Sequence, residues 1–179
     1  MSSKQRANMP TIPSGTVTFL FTDIEGSTRL WETQREAMTT ALQRHDALLR
    51  QCIESHGGHI FKTVGDAFCA AFATAPSAVD AALDAQRSLH AERWPEHAPI
   101  RARMALHTGA AEMRDGDYFG NGVNLAARVT SATDAGQFLI TADLQATIDP
   151  NAATLQALTP RRLKGVQDPV QLVEVTLRP

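Results

Sequence analysis

The order of apolar and polar residues predicts strands and helices that alternate along the chain. Residues 16–22 are almost continuously apolar or β-branched, which predicts a strand buried on both faces, and this strand ends at Asp23. Spacing predicts next one or two helices over 28–56, strands over 59–62 and 67–72 joined by a tight turn, and a helix over 75–90. The remaining elements are a strand over 100–107, a second short strand after Gly109, a helix over 122–131, a strand over 136–141, a short helix over 142–147, and strands over 161–166 and 169–176.

Interleaved strands and helices predict the fold class α/β, an α+β sandwich with one sheet and helices packed on it. Ser27 or Thr28 is expected to cap the first helix, because either hydroxyl can accept a bond from the first turn. Residues 1–14 include two prolines and are interpreted as a flexible N-terminal lead-in. Residues 15–179 are interpreted as one domain.

Composition restricts the function classes. The chain has 17 basic and 19 acidic residues in 179, which disfavours a nucleic-acid partner because nucleic-acid-binding domains carry a basic excess. Its sequence contains no apolar run long enough to span a membrane and no signal-peptide core. Cys52 and Cys69 are too few for a disulfide framework and predict reduced thiols in a cytoplasmic protein.

Two aspartates stand at places that suit rigidly held carboxylates. Asp23 follows the buried strand, and Asp66 follows a glycine in the turn between two strands. If the two carboxylates meet, they suit two Mg²⁺ or Mn²⁺ ions, which prefer oxygen ligands and can activate a phosphoryl group. Spacing alone also allows a local role for each, with Asp23 capping the next helix and Asp66 serving its own turn.

A glycine-rich turn leads into the helix that carries Asn124 and Arg128. These residues are four apart, so they lie on one helix face. An amide beside a guanidinium can bind sugar and phosphate oxygens. The alternative is an ordinary solvated helix face. The chain contains neither a Walker A sequence nor GxGxxG, so the common nucleotide-binding loops are excluded.

Three further basic residues are candidates. Lys62 lies four residues before Asp66 and either pairs with it or extends from its strand into solvent. Arg103 lies on the polar face of its strand, where a surface role is the default, and Lys164 precedes a proline-containing strand.

Together these segments resemble the class III nucleotidyl cyclase catalytic domain. Residues 17–31 are similar to the first metal motif of the family, residues 61–68 to its second, residues 117–128 to its transition-state motif, and residues 163–166 to its final phosphate-binding segment. The resemblance extends from about residue 15 to the C-terminus. It implies a ferredoxin-like palm, with one mainly antiparallel sheet and helices packed on it.

The resemblance also implies a role for each matched residue. Asp23 and Asp66, with the Ile24 carbonyl, would hold two Mg²⁺ or Mn²⁺ ions per site. Lys62 and Asp117 would recognise the purine. This pair resembles that of adenylate cyclases, whereas guanylate cyclases typically use Glu with Cys, so ATP is the expected substrate.

The remaining matched residues would bind sugar and phosphate. Asn124 would orient the ribose and Arg128 would stabilise charge on the α-phosphate. Arg103 and Lys164 would contact the triphosphate. The Lys164 segment departs from the family pattern, because no second lysine follows Lys164-Gly165.

The family resemblance implies a head-to-tail homodimer with two shared active sites. One protomer would supply Asp23, Asp66 and Arg103, and the other Lys62, Asp117, Asn124 and Arg128. The expected reaction is cyclisation of ATP to 3′,5′-cyclic AMP and pyrophosphate. The alternatives are a guanylate or mixed-specificity cyclase and a catalytically silent nucleotide-binding dimerisation module of the same fold. A diguanylate cyclase is disfavoured because the GG[DE]EF signature is absent.

Overall fold

A single sheet organises the chain in the computed structural model, which describes residues 11–134 and 136–179. Its strands are β1 (Gly15–Ile24), β2 (His59–Val64), β3 (Ala67–Phe72), β4 (Ala102–Arg114), β5 (Asp117–Phe119), β6 (Phe138–Thr141), β7 (Ala153–Ala157) and β8 (Leu172–Leu177). The helices are α1 (Ser27–Thr33), α2 (Arg35–Ser55), α3 (Ala75–Ala91) and α4 (Asn121–Ser131), with a short 3₁₀ helix at Ala142–Thr147.

The strand order is β2-β3-β1-β4-β6-β8-β7, and β5 pairs with β4 beside this path. Every described strand pair is antiparallel except the parallel pair of β4 with β6. The prediction of one mainly antiparallel sheet with packed helices is therefore confirmed. The β1–β4 register is the one that matters most for the candidate residues, because it sets Asp23 opposite Arg103.

Strand β1 is buried on both faces, as its apolar run predicts. Leu20 packs into a large core that also contains residues of α2 and α3. Phe19 and Phe21, on the opposite face, pack with Tyr118 and Val123, beneath α4. Burying an aromatic or aliphatic side chain of this size contributes about 1.5 to 3 kcal/mol, so the two cores fix β1 in place.

Some of the predicted elements were wrong. Gly26, rather than Ser27 or Thr28, is the N-cap of α1, and no side chain caps this helix. Residues 161–166 do not form a strand. Only Arg161 bridges to Val170, and the segment then turns.

The predicted break at Gly109 was also wrong, because residues 102–114 form one continuous strand. Gly109 is needed for close packing instead: a Cβ there would lie 2.7 Å from the Gly122 Cα. Strands β5 and β7 were missed by the hydrophobic pattern.

The predicted lead-in lies mostly outside the described residues, since the description begins at residue 11. Pro13, near its end, is buried, and its carbonyl accepts a hydrogen bond from the Tyr118 hydroxyl. Across the described part of the chain, no helix combines the length and apolarity needed to cross a membrane.

Candidate functional site

The first group of candidate residues lies at the end of β1. Arg103 donates two parallel hydrogen bonds to Asp23, from Nε to Oδ1 at 2.6 Å and from a terminal nitrogen to Oδ2 at 2.5 Å. A third bond runs from Arg103 to the Thr133 carbonyl at 3.3 Å, just after α4. Hydrogen bonding to Asp23 raises the pKa of Arg103, and the charges of Glu25 and Asp66 act in the same direction. Arg103 is thus engaged inside the chain rather than projecting freely.

Asp66 reaches the same place from the turn between β2 and β3. Its Oδ1 accepts a hydrogen bond from the Ile24 backbone N–H at 3.3 Å. Gly65 allows this turn because its φ is +59°, a conformation that favours glycine. Asp66 therefore contacts β1 and does more than serve its own turn, and the two aspartates flank one backbone segment.

The donors at this strand end suit a hard divalent cation. Asp23 and Asp66 would supply carboxylate oxygens, and Ile24, which follows Asp23, would supply a carbonyl. In the described residues, His, Cys, Asp and Glu side chains form no group of three or more that could hold a metal. Mg²⁺ commonly binds through one or two carboxylates and takes its other ligands from water and substrate phosphates. The residues present fit that kind of site.

The second group is an ion pair at the edge of the sheet. Lys62 Nζ lies 2.5 Å from Asp117 Oδ2, so Lys62 pairs with Asp117 rather than with Asp66. Asp117 Oδ1 also accepts from the Tyr118 backbone N–H at 2.8 Å. The hydrogen bond between the partners raises the pKa of Lys62 and lowers that of Asp117.

Aromatic packing positions this ion pair. Phe61 precedes Lys62 and Tyr118 follows Asp117, and the two rings meet edge to face with centroids 4.8 Å apart. Phe19 packs against Tyr118 at 5.3 Å. Such contacts add about 0.5 to 1.5 kcal/mol each beyond the buried area, so the backbones of both charged residues are anchored.

Cys69 is a neighbour that the sequence analysis did not identify as a site residue. It is the register partner of Lys62 across β2 and β3, so both side chains lie on one face of the sheet. Burial raises the pKa of its thiol to about 11, which keeps the thiol protonated at neutral pH. The sequence could have indicated the position of Cys69 through the predicted pairing of β2 with β3. The turn between two paired strands determines which residues lie opposite each other.

The third group lines a cavity of about 780 Å³ beside α4. The buried face of this helix, with Val123, Ala126 and Val129, packs on the sheet, and the close contact of Gly122 with Gly109 brings the backbones together. Asn124 and Arg128 lie on the side that faces the cavity. The complete lining is Asn121, Asn124, Leu125, Ala127, Arg128, Lys164, Gly165, Val166 and Gln167.

The structure therefore brings Asn124, Arg128 and Lys164 together around one cavity. Asn121 and Gln167 are polar lining residues that the sequence analysis missed, although each is close in sequence to a recognised motif residue. Among the described residues around this cavity, none of the metal-candidate aspartates and neither member of the Lys62–Asp117 pair is present. The predicted site residues thus form three groups within one chain.

Comparisons with known proteins agree with this fold. A family model described as the adenylate and guanylate cyclase catalytic domain matches residues 9–175. An uncharacterised protein of Mycobacterium tuberculosis (strain H37Rv) is 37% identical in an alignment 168 residues long, and the match covers 91% of this chain and 56% of the relative. An adenylate cyclase of Podospora anserina is 34% identical in an alignment 161 residues long, and the match covers 76% of this chain and 8% of that protein. The chain spans about half the length of the first relative and far less of the second.

A solved structure is also similar over nearly the whole chain. It is an adenylate cyclase from Trypanosoma brucei in its monomeric state, which superposes with a TM-score of 0.83 at 27% identity. The match covers 93% of this chain and 90% of that one.

Proposed function

The chain belongs to the adenylate and guanylate cyclase catalytic domain family, and from this premise we propose that it is an adenylate cyclase. It converts ATP to 3′,5′-cyclic AMP and pyrophosphate. The observation that carries the choice of ATP is the Lys62–Asp117 pair at the sheet edge. Both side chains are part-exposed, so a nucleotide base can reach them.

The hydrogen-bonding types of this pair suit adenine. Its Watson–Crick edge presents the N6 amine as a donor and N1 as an acceptor. The Asp117 carboxylate can accept from N6, and the Lys62 ammonium can donate to N1. Guanine presents the opposite arrangement on the same edge, so the pair would leave mismatched donors and acceptors, and such mismatches are strongly discriminated.

The metal ligands in this proposal are Asp23, Asp66 and the Ile24 carbonyl, which would hold two Mg²⁺ or Mn²⁺ ions. When bound, such ions polarise phosphoryl oxygens and lower the pKa of a coordinated hydroxyl, here the ribose 3′-hydroxyl. The support from this chain is that Asp66 accepts a hydrogen bond from the Ile24 backbone N–H, directly after Asp23 in β1.

The cavity beside α4 supplies the remaining groups. Asn124 orients the ribose, and Arg128 stabilises the negative charge that develops on the α-phosphate as pyrophosphate leaves. Lys164, which also lines the cavity, contacts the triphosphate, and Arg103 on β4 contacts the triphosphate as well. Positioning and charge stabilisation by these side chains provide most of the rate enhancement in the proposal.

The proposed active unit is a head-to-tail homodimer with two equivalent sites. Within one chain the described lining of the Asn124–Arg128 cavity contains neither Asp23 nor Asp66, the carboxylates that the other protomer would supply. One chain carries every required residue type, so a second copy can complete each site.

We place the enzyme in the cytoplasm, where Cys52 and Cys69 would stay as the free thiols that they are here.

Product identification tests the proposed function. The purified chain is incubated with ATP or with GTP in the presence of Mn²⁺, and the products are separated and identified. We expect cyclic AMP and pyrophosphate from ATP, with GTP a poor substrate. Cyclic GMP as the main product would contradict the choice of ATP, and no cyclic product from either nucleotide would support the silent dimerisation module instead.

A further inference from the structure

We infer that Arg103 is a displaceable internal counter-ion of Asp23, which holds this carboxylate before the divalent metal binds and must release it when the metal does. The inference rests on the proposed function, because it takes Asp23 as a metal ligand. It adds a step that precedes catalysis: metal loading and movement of Arg103 are one coupled event.

One guanidinium engages the whole Asp23 carboxylate. Both oxygens of Asp23 are used at once, by two nitrogens of one guanidinium at 2.6 and 2.5 Å. Bidentate pairs of this kind are the strong class of charge-assisted hydrogen bonds. A divalent cation on either oxygen would lie next to the guanidinium, and the like charges would repel each other at short range in a half-buried site. The side chains of Arg103 and Asp23 are 26% and 24% exposed.

The backbone holds Asp23 and Arg103 opposite each other, and the Arg103 side chain has a second hydrogen-bond partner. Asp23 and Arg103 are directly opposite in the β1–β4 register, so separating them requires a side-chain movement and no strand shift. Arg103 also donates to the Thr133 carbonyl, just beyond the C-terminal end of α4. The C-terminal end of a helix favours a positive charge. Arg103 can therefore leave Asp23 and still be retained near α4.

The charge around Arg103 is predominantly negative. Asp23, Glu25 and Asp66 all act on Arg103, so one guanidinium faces three acidic groups. This arrangement leaves net negative charge for a divalent cation once the guanidinium moves. A triphosphate that arrives with the metal offers the displaced Arg103 a new anionic partner. Metal and nucleotide are thus expected to bind more tightly together than either does alone.

The test measures Mn²⁺ binding to the nucleotide-free chain, by the loss of the electron paramagnetic resonance signal of free Mn²⁺. We expect Arg103→Gln to bind Mn²⁺ about tenfold more tightly than wild type, since an adjacent charge shifts such equilibria by about this factor or more. The matched control is Arg101→Gln, which removes one positive charge from the chain just before β4, beside Gly136. It should stay within about twofold of wild type, because screening weakens charge effects at exposed positions.

A second measurement uses the unaltered chain. The Arg103 Nε–H resonance, identified by its absence in Arg103→Gln, is followed by ¹H–¹⁵N spectroscopy as Mg²⁺ is added. We expect it to move with the same saturation curve as metal binding. An unmoved resonance at saturating Mg²⁺, or equal Mn²⁺ affinities for wild type and Arg103→Gln, would overturn the inference.

Asp23→Asn separates this failure from failure of the proposed function. Loss of Mn²⁺ binding in Asp23→Asn, with no gain in Arg103→Gln, rejects only the counter-ion role. Unchanged Mn²⁺ binding in Asp23→Asn rejects the metal site itself, and the counter-ion role with it. An equal gain in Mn²⁺ affinity in Arg101→Gln and Arg103→Gln would mean that the net charge of the chain causes the gain. This outcome would also reject the inference.

Discussion

Two ion pairs in this chain join residues that are far apart in sequence, yet they are built differently. Lys62 and Asp117 share one contact, and their side chains are 46% and 27% exposed. Arg103 and Asp23 share two parallel bonds, are about a quarter exposed, and are tied by a third bond to Thr133. The first pair is positioned by its aromatic neighbours and remains open to solvent. In the second pair, one guanidinium already occupies both carboxylate oxygens, and most of both side chains is buried.

This difference indicates two modes of ligand binding. An exposed pair contributes about 0 to 1 kcal/mol, so a base edge can replace the internal contact at little cost. A half-buried bidentate pair costs more to open, and the ligand that opens it must supply comparable charge. The pair at the sheet edge is suited to recognition, and the pair at the end of β1 is suited to control of metal entry.

The largest expected effect comes from variants that disable either the carboxylates at the end of β1 or the cavity beside α4. Asp23→Ala and Arg128→Ala are each expected to reduce cyclase activity by on the order of 10³-fold, because each removes charge stabilisation from every site. Mixing the two inactive variants should restore activity to about a quarter of wild type, because the mixed dimer contains one intact shared site. The measurement is cyclic AMP formation with Mn²⁺ after the subunits are mixed.

The control for this experiment mixes Asp23→Ala with Asp66→Ala. Both changes lie in the half of the site that one protomer supplies, so no mixed dimer has an intact site and activity should stay absent. Recovery in this control, or no recovery with Arg128→Ala although heterodimers are demonstrated, would contradict the shared site. No recovery with Arg128→Ala would assign Asp23 and Arg128 to one site within a single chain, and recovery in the control would assign Asp23 and Asp66 to different protomers.

A smaller effect is expected at the recognition pair. Lys62→Glu combined with Asp117→Cys should lower kcat/KM for ATP about 10²-fold, since the adenine edge would meet mismatched groups. GTP turnover need not appear, because the shape of the pocket also sets specificity. Steady-state kinetics with both nucleotides measure the change.

An exposed pair elsewhere provides the comparison. Arg50 and Glu54 lie 3.3 Å apart on α2, and both are more than half exposed. Arg50→Glu with Glu54→Cys makes a similar change of charge and should leave kcat/KM for ATP close to wild type. An equal loss in both double variants would assign the effect to stability or net charge, and the base-recognition role of Lys62 and Asp117 would be wrong.

The sequence predicts the elements near these pairs better than the pairs themselves. The buried run before Asp23 and the glycine before Asp66 are local signals, and the structure has a strand end and a turn there. The contact of Arg103 with Asp23 depends on the β1–β4 register, which joins residues 80 positions apart and has no local signal.

The same reasoning explains the elements that were wrong or missed. Gly109 resembles a turn residue in sequence, but it is needed where α4 approaches β4. Strand β7 is mostly exposed beyond Ala153, so its apolar alternation is weak, and only its pairing with β8 defines it. Residues 164–166 contribute to the cavity as a turn and not as part of the strand predicted over 161–166.

The smallest expected effect concerns stability and distinguishes the two pairs without any ligand. At pH 7, Asp117→Asn should lower the free energy of unfolding by less than about 1 kcal/mol, because the pair is exposed. Arg103→Gln should lower it by about 1 to 3 kcal/mol, because it leaves a half-buried carboxylate without its partner.

Lys62 lowers the pKa of Asp117 below its ordinary value of 3.8, so this pair stabilises the fold above that value and its contribution is lost as the pH falls below it. Urea unfolding should therefore show a smaller Asp117→Asn deficit at pH 3 than at pH 7. A deficit that does not shrink at pH 3, or one larger than that of Arg103→Gln at pH 7, would contradict the distinction between the exposed and the mostly buried ion pair.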